Sequence, residues 1–181
     1  CFVAAIALYL FFLVTNIKTK ATFFPKEMAL KKQYYLAAII CGTLLAISVN
    51  FQQFGLAYYP KGVASEARAG FLTALYVILV PVFSVFAGRK IKLPIWLGVG
   101  VATVGVYLLC FNDKIGGIYF GDILVFLCAI SFSFHIMAID KFVGITGGIK
   151  LSVMQFLVCG IIISLYVFIK NVVLCFFLSC N

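Results

Sequence analysis

The chain consists mainly of long apolar runs separated by short segments that carry most of its charge. Five runs are long enough to cross a bilayer, roughly Tyr34–Tyr58, Ala67–Gly88, Pro94–Phe111, Tyr119–Ile139 and Leu151–Ile169. A transmembrane helix needs about 20 predominantly apolar residues. Hydrophobic residues make up 65% of the chain and charged residues 10%, against about 45–50% and about 25% in a soluble domain. The pattern predicts an all-α, multi-span membrane protein, folded as a helical bundle within a lipid bilayer.

The two ends of the sequence fit this pattern less well. The first apolar run, from Phe2 to Val14, has about 13 residues and follows Cys1 directly. The tail from Val172 to Cys180 is again short and apolar, and the stretch from Asn171 differs from the preceding pattern. We expect the first helix to be truncated at its start and the sequence to be a piece of a longer protein.

The distribution of basic residues predicts the orientation in the membrane. Ten Lys and Arg residues fall in alternate gaps between the runs: Lys18, Lys20, Lys26, Lys31, Lys32, Arg89, Lys90, Lys92, Lys141 and Lys150. The other four, Lys61, Arg68, Lys114 and Lys170, fall on the opposite side. Short cytoplasmic loops carry an excess of basic residues. We therefore expect a multi-pass protein of the cell (inner) membrane, with the ten residues in the cytoplasm, and no nucleic-acid partner despite the formal net charge of +9.

Small and polar side chains form a stripe on each run, which we expect to face the bundle because small residues let helices approach closely in lipid. On ideal helices the stripes comprise Gly42, Ala46, Asn50, Gln53 and Ala57; Ala67, Gly70, Ala74, Pro81, Ser84 and Gly88; Gly98, Ala102 and Gly105; Gly121, Cys128, Ser131 and His135; and Ser152, Gln155, Cys159 and Tyr166. Gly70, Pro81, Gly98 and Gly105 are the predicted hinge or packing positions. Pro81 should kink its helix, as a hinge or as a static bend.

Five polar residues are candidates for a solute pathway: Asn50, Gln53, Arg68, His135 and Gln155. Asn50 and Gln53, one helical turn apart, could contact a solute or bond to a neighbouring helix. Arg68, two residues after Glu66, could capture an anionic group or anchor its helix at the outer surface. His135 could carry a proton or serve as a hydrogen-bonded structural group.

Catalytic motifs are absent from the sequence. It contains no HExxH, GxSxG or Walker A pattern and only five acidic residues. Its seven cysteines include no CxxC, so we interpret them as packing residues. We expect no enzyme, no metal site and no cofactor.

Several segments, in order, resemble the EamA-type family of the drug/metabolite transporter superfamily. They are GLAYY at 55–59, AGFLTALYVILVP at 69–81, the basic loop at 88–90, WLG at 96–98, GVYLL at 105–109, GDIL at 121–124 and the segment 132–136. The resemblance covers roughly residues 1–170. One departure is the segment Arg89-Lys90-Ile91-Lys92, where the family often has a Glu.

The resemblance implies ten helices in two five-helix repeats of inverted topology, with the solute site between the halves. Residues 1–112 would then be the remainder of the first repeat (helices 2–5), and residues 113–181 the start of the second (helices 6–7). It implies a secondary transporter that moves small organic metabolites, amino acids or drugs outward by alternating access. A homodimer is left open. The alternative is a non-transport membrane assembly or accessory protein.

Overall fold

The computed structural model describes the backbone of residues 1–16, 28–60, 65–89, 93–110 and 119–179, and the side chains of 1–11, 32–60, 65–89, 93–104 and 119–171. In these ranges the chain is helical. The helices are α1 (Phe2–Asn16), α2 (Met28–Ala57), α3 (Ser65–Ala74), α4 (Tyr76–Phe86), α5 (Leu93–Cys110), α6 (Phe120–Thr146) and α7 (Gly148–Ser179). The predicted all-α fold is confirmed.

Four helical segments are long and apolar enough to cross a membrane. They are Lys32–Ala57, Ser65–Phe86, Phe120–Thr146 and Gly148–Asn171, and the second comprises α3 and α4 together. The prediction of a multi-pass membrane protein is therefore confirmed. The remaining predicted crossing corresponds to α5, whose 18 residues extend about 27 Å, close to the about 30 Å of a hydrocarbon core.

The second of these segments is interrupted at Leu75, between α3 and α4. The Leu75 amide donates to the Leu72 carbonyl at 3.3 Å, a spacing of three residues, and the Leu75 carbonyl accepts from both Ile78 and Leu79 at 3.0 Å. Pro81 lies inside α4, and helical geometry continues through it. The interruption thus lies six residues before the proline, and a kink at Pro81 itself stays a prediction.

Glycines end α4 and α6. Gly88 has φ 78° and Gly147 has φ 79°, in the left-handed region that glycine adopts without steric cost. After α4, the Arg89 amide donates to the Ser84 carbonyl at 3.0 Å and the Gly88 amide to the Val85 carbonyl at 2.9 Å, which is the Schellman pattern of a helix end. After α6, Gly147 alone separates that helix from α7, so the two are joined by a very short turn.

The chain forms two compact units. Unit 1 comprises Cys1–Ala46 and Ala138–Asn181. Its core contains Ala37 and Cys41 of α2 with Leu151 of α7. A Cβ atom added to Gly42 would lie 2.6 Å from the Cβ of Val158, so α2 and α7 approach closely through this glycine, as its place in the predicted stripe implies.

Unit 2 comprises Ile47–Met137, and within it α6 contacts three other helices. Ser48 of α2 donates a buried hydrogen bond to Ser131 at 2.9 Å. The rings of Phe83 in α4 and Phe134 stack with centroids 5.1 Å apart, and an ion pair joins α6 to α3. All four members of the predicted α6 stripe, Gly121, Cys128, Ser131 and His135, are buried. This prediction is confirmed.

Candidate functional site

A charged pair lies at the start of α6 in unit 2. Arg68 of α3 donates from Nη2 to Oδ2 of Asp122 at 2.6 Å and from Nε to Oδ1 at 3.2 Å. The Arg68 and Asp122 side chains are only 16% and 11% exposed. The two parallel bonds form the bidentate geometry that makes an Arg–carboxylate pair strong and directional. The guanidinium carbon also lies 5.0 Å from the centroid of the Tyr119 ring, within the range of a cation–π contact.

The remaining acceptor positions of Asp122 are filled by two tyrosines. The Tyr59 hydroxyl donates to Oδ1 at 2.6 Å, and the Tyr119 backbone amide donates to Oδ2 at 2.9 Å. Each carboxylate oxygen therefore accepts two hydrogen bonds. Because Tyr119 immediately precedes α6, the second bond is the carboxylate half of a capping box. It also places a negative charge at the positive end of the helix dipole.

Tyr59 remains a donor at neutral pH. Burial, reinforced by the hydrogen bond to Asp122, raises the pKa of the Tyr59 hydroxyl above its ordinary value. Neutral phenol is a good donor, whereas a tyrosinate beside this carboxylate would add like-charge repulsion. The end of α2 is thus connected to the start of α6 through a protonated side chain.

Two glycines bring these helix ends together. A Cβ atom on Gly121 would lie 2.7 Å from the carbonyl oxygen of Gly55 and 3.1 Å from the Tyr59 ring. A Cβ atom on Gly55 would lie 2.5 Å from Cγ2 of Val125. Only the absence of both side chains lets α2 approach α6 this closely. That approach carries Tyr59 to within hydrogen-bond distance of Asp122.

We refer to Tyr59, Arg68, Tyr119 and Asp122 as the Arg68 cluster. The sequence singled out Arg68 beside Glu66, but Glu66 is exposed and the partner is Asp122, 54 residues further along the chain. A sequence signal existed, since the predicted orientation puts the starts of the runs at 67–88 and 119–139 on the same, outer side of the membrane. In this conformation the charge of Arg68 is balanced within the protein.

The polar residues of α2 are distributed differently from their predicted stripe. Asn50 is half-buried and Gln53 is exposed. Gln52, on another face, is half-buried and its Nε2 lies 3.4 Å from the Thr73 hydroxyl oxygen of α3. The structure therefore brings Gln52 to a neighbouring helix, and the solute-contacting roles of Asn50 and Gln53 stay predictions.

His135 and Gln155 are both buried, in separate units. In unit 2 the His135 ring meets the Phe132 ring edge-on, with centroids 6.3 Å apart. In unit 1 the Gln155 Oε1 atom has no hydrogen-bond partner among the described residues. Their roles in a pathway or in proton coupling stay predictions.

The predicted hinge or packing positions have contrasting surroundings. Pro81 is buried. Gly70 and Gly98 are exposed, and a Cβ atom on either would meet nothing within 4 Å among the described residues. Gly105 lies within α5, but its surroundings fall outside the described side chains. The hinge roles stay predictions.

A small apolar cavity of about 110 Å³ lies beside the interruption at Leu75. It lies between α5 and the pair α3 and α4, and it is lined by Phe71, Ala74, Leu75, Val77, Ile78, Ala102 and Thr103. The Thr103 hydroxyl donates to the Val99 carbonyl of its own helix at 2.7 Å. The cavity therefore offers apolar contact and no charged group.

Comparison with known proteins gives one distant relative. The chain is 33% identical over 102 residues to a protein named as an uncharacterized transporter from Archaeoglobus fulgidus. The alignment covers 53% of this chain and 29% of that protein, so the chain spans less than a third of the length of the relative it matches. No family model and no solved structure matches. The chain is a multi-helix membrane protein with distant homology to an uncharacterized archaeal transporter.

Proposed function

We propose that the protein is a secondary transporter that moves small organic solutes across a membrane by alternating access. The observation that carries this proposal is the 33% identity to an archaeal protein named as a transporter, found in a chain with four apolar membrane-crossing segments. Solutes would include metabolites, amino acids or drugs, and the direction would be outward. Localisation in the cell (inner) membrane belongs to the same proposal.

The family we propose is the EamA type of the drug/metabolite transporters, on the strength of the motifs at 55–59, 69–81 and 121–124. Under this assignment residues 1–112 are helices two to five of the first repeat, and residues 113–181 begin the second repeat with helices six and seven. α2 to α5 would then be helices three to five, with α3 and α4 forming helix four together, and α6 would be helix six. Alternating access would come from one repeat rocking against the other.

Polar contacts between helices of unit 2 suit a protein whose helices move against one another. They include the pairs Ser48 with Ser131 and Arg68 with Asp122. Polar pairs of this kind hold membrane helices in register and can be exchanged when helices move.

The proposal is tested by reconstitution of the protein expressed from its complete reading frame. Purified protein in liposomes is given a proton gradient, and the flux of radiolabelled amino acids and of ethidium is measured separately. Saturable flux of either class, accelerated by unlabelled solute on the opposite side, is the expected result. Gly121→Val should abolish it, because the added side chain would press on Gly55. Gly100→Ala, at a position with open space among the described residues, should retain it.

The opposite result would be a monodisperse, helical protein with no flux above empty liposomes for any solute class. Should that protein also co-purify with a membrane subunit at fixed stoichiometry, an assembly or accessory role would replace the transport proposal.

A further inference from the structure

We propose that the Arg68 cluster is a releasable latch that holds α3 and α6 together when the solute route is closed to the outside. The inference rests on the proposed function, in which Arg68 lies in the first repeat and Asp122 in the second. An ion pair between the two repeats must break or rearrange when they rock apart. The predicted orientation places the starts of α3 and α6 on the side opposite the basic loops, which is the outer side.

The geometry of the pair suits a contact that opens and closes. Both charged side chains keep a small exposure, 16% and 11%, so water can reach them as soon as the helices separate. When a partly exposed ion pair separates, hydration of the two charges offsets much of the lost attraction. When a fully buried pair separates, the charges stay without water and the cost is high. The pair is also directional, because its two bonds require both helix ends in register.

Inward of the latch, small and polar groups form several of the contacts between α2 and α6. Beside Asp122, α6 faces α2 through Gly121 against Gly55, and further inward through Val125 against Gly55 and Ser131 against Ser48. Apart from the buried Val125 side chain, the groups named here are glycines and hydroxyls, which offer little apolar surface to resist separation. Release of the latch would therefore expose a seam between α2 and α6 that hydroxyl groups line.

The chain contains a natural reporter for this seam. Cys128 lies on the buried face of α6 and is fully inaccessible. It follows Asp122 by six residues, about 9 Å along the helix. Cys41, equally inaccessible, lies in unit 1 and serves as the reference for general unfolding.

The experiment measures labelling of Cys128 from outside intact cells with a membrane-impermeant methanethiosulfonate, with the other cysteines replaced. Asp122→Asn and Arg68→Gln should each raise the labelling rate on the order of tenfold, since a weakened pair shifts the population toward the open form. The exchanged pair Arg68→Asp with Asp122→Arg should return the rate toward wild type. Glu66→Gln, which removes an exposed acid next to Arg68, should leave the rate unchanged.

A second background that retains only Cys41 separates a latch from a fold requirement. Unchanged Cys41 labelling together with faster Cys128 labelling supports the latch. Equal acceleration of both would overturn it, because the variants would then be unfolding. Unchanged Cys128 labelling in both single variants would also overturn it. These labelling measurements do not need a solute, so they test the latch separately from the proposed transport. The latch can be disproved while reconstituted flux persists, and it can be supported while no flux is found.

Discussion

Gly121 at the start of α6 lies against Gly55 near the end of α2, so closely that a Cβ atom on Gly121 would stand 2.7 Å from the Gly55 carbonyl oxygen. Real Cβ atoms essentially never lie within 3.0 Å of such an atom, so the backbone would have to move. The Arg68 cluster depends on this approach, because Tyr59 follows the end of α2 and Asp122 follows Gly121. The addition of one methyl group at this crossing should therefore disturb the ion pair between Arg68 and Asp122.

Gly121→Ala and Gly55→Ala should each destabilise the protein by about 1–3 kcal/mol, the usual cost of overpacking a tight contact. The measurement is thermal unfolding in detergent, followed by circular dichroism. Gly70→Ala and Gly98→Ala are matched controls in open space, and they should be neutral or stabilising by up to about 1 kcal/mol, since alanine is the better helix former. Similar effects at all four positions would show that α2 and α6 do not approach as described.

The buried hydroxyl pair between α2 and α6 should contribute modestly. Ser48→Ala and Ser131→Ala remove partners of one hydrogen bond, 2.9 Å long and fully inside unit 2. Interhelical hydrogen bonds in membrane proteins average about 0.6 kcal/mol and reach about 1.7 kcal/mol. A double-mutant cycle on unfolding in mixed micelles should give a coupling energy within that range. A coupling energy of zero would contradict a direct hydrogen bond between the two hydroxyl groups.

The ion pair should show the largest coupling of the contacts in unit 2. Arg68→Gln or Asp122→Asn leaves one charge without its partner, which costs about 3–5 kcal/mol at fully buried sites. Because both side chains keep some exposure, we expect about 2 kcal/mol for each single variant and less than the sum for the double variant. Additive losses in the cycle would contradict a direct pair. Glu66→Gln, exposed and two residues away, should be near neutral.

Tyr59→Phe should destabilise the protein by about 1.5 kcal/mol at pH 7, because it removes a hydrogen bond to a charged acceptor. Burial and Asp122 raise the pKa of Tyr59, so the folded protein retains this proton more strongly than the unfolded chain. The contribution is therefore complete below the ordinary pKa of about 10 and is lost as pH rises above it. The difference between wild type and variant, measured at pH 7, 9 and 10.5, should stay constant and then shrink. A difference that stays constant up to pH 10.5 would show an ordinary pKa for Tyr59 in the folded protein, and a difference that grows would show a lowered pKa.

Hydrophobic length and helical period were enough to predict the helices and one buried face. The runs at 34–58 and 119–139 overlap α2 and α6, and each extends beyond its helix by one residue. They are helical because about 20 apolar residues in lipid have no alternative to a helix. The α6 stripe, with Ser131 and His135 among its members, is buried as predicted. A helix face of small and polar residues packs better against protein than against lipid, so it is expected to be buried.

Residue contacts between distant parts of the sequence were not predictable in the same way. Gln53 shares the face of Gly42 on an ideal helix, yet Gln53 is exposed. The reason is that α2 changes partners along its length, meeting Val158 of α7 at Gly42 and Val125 of α6 at Gly55. A stripe drawn from one end therefore does not predict the covered face at the other end.

The Arg68 cluster was missed for a related reason. Asp122 was not among the five candidate residues, because periodicity within one helix carries no information about a partner on another helix. The predicted orientation placed Arg68 and Asp122 on the same side of the membrane, but proximity within that side depends on the tight crossing of Gly55 and Gly121. That crossing is a property of the packed helices.

We propose that the helices cross the membrane alternately, with the Arg68 cluster at the outer end. To test this topology, single cysteines are placed at Lys31, Lys90 and Glu66 in a cysteine-free background, and intact cells and inverted vesicles are labelled with an impermeant maleimide. We predict that Lys31→Cys and Lys90→Cys react only from the cytoplasmic side and that Glu66→Cys reacts only from outside. Reaction of the two lysine positions from opposite sides, or of all three positions from the same side, would contradict the account.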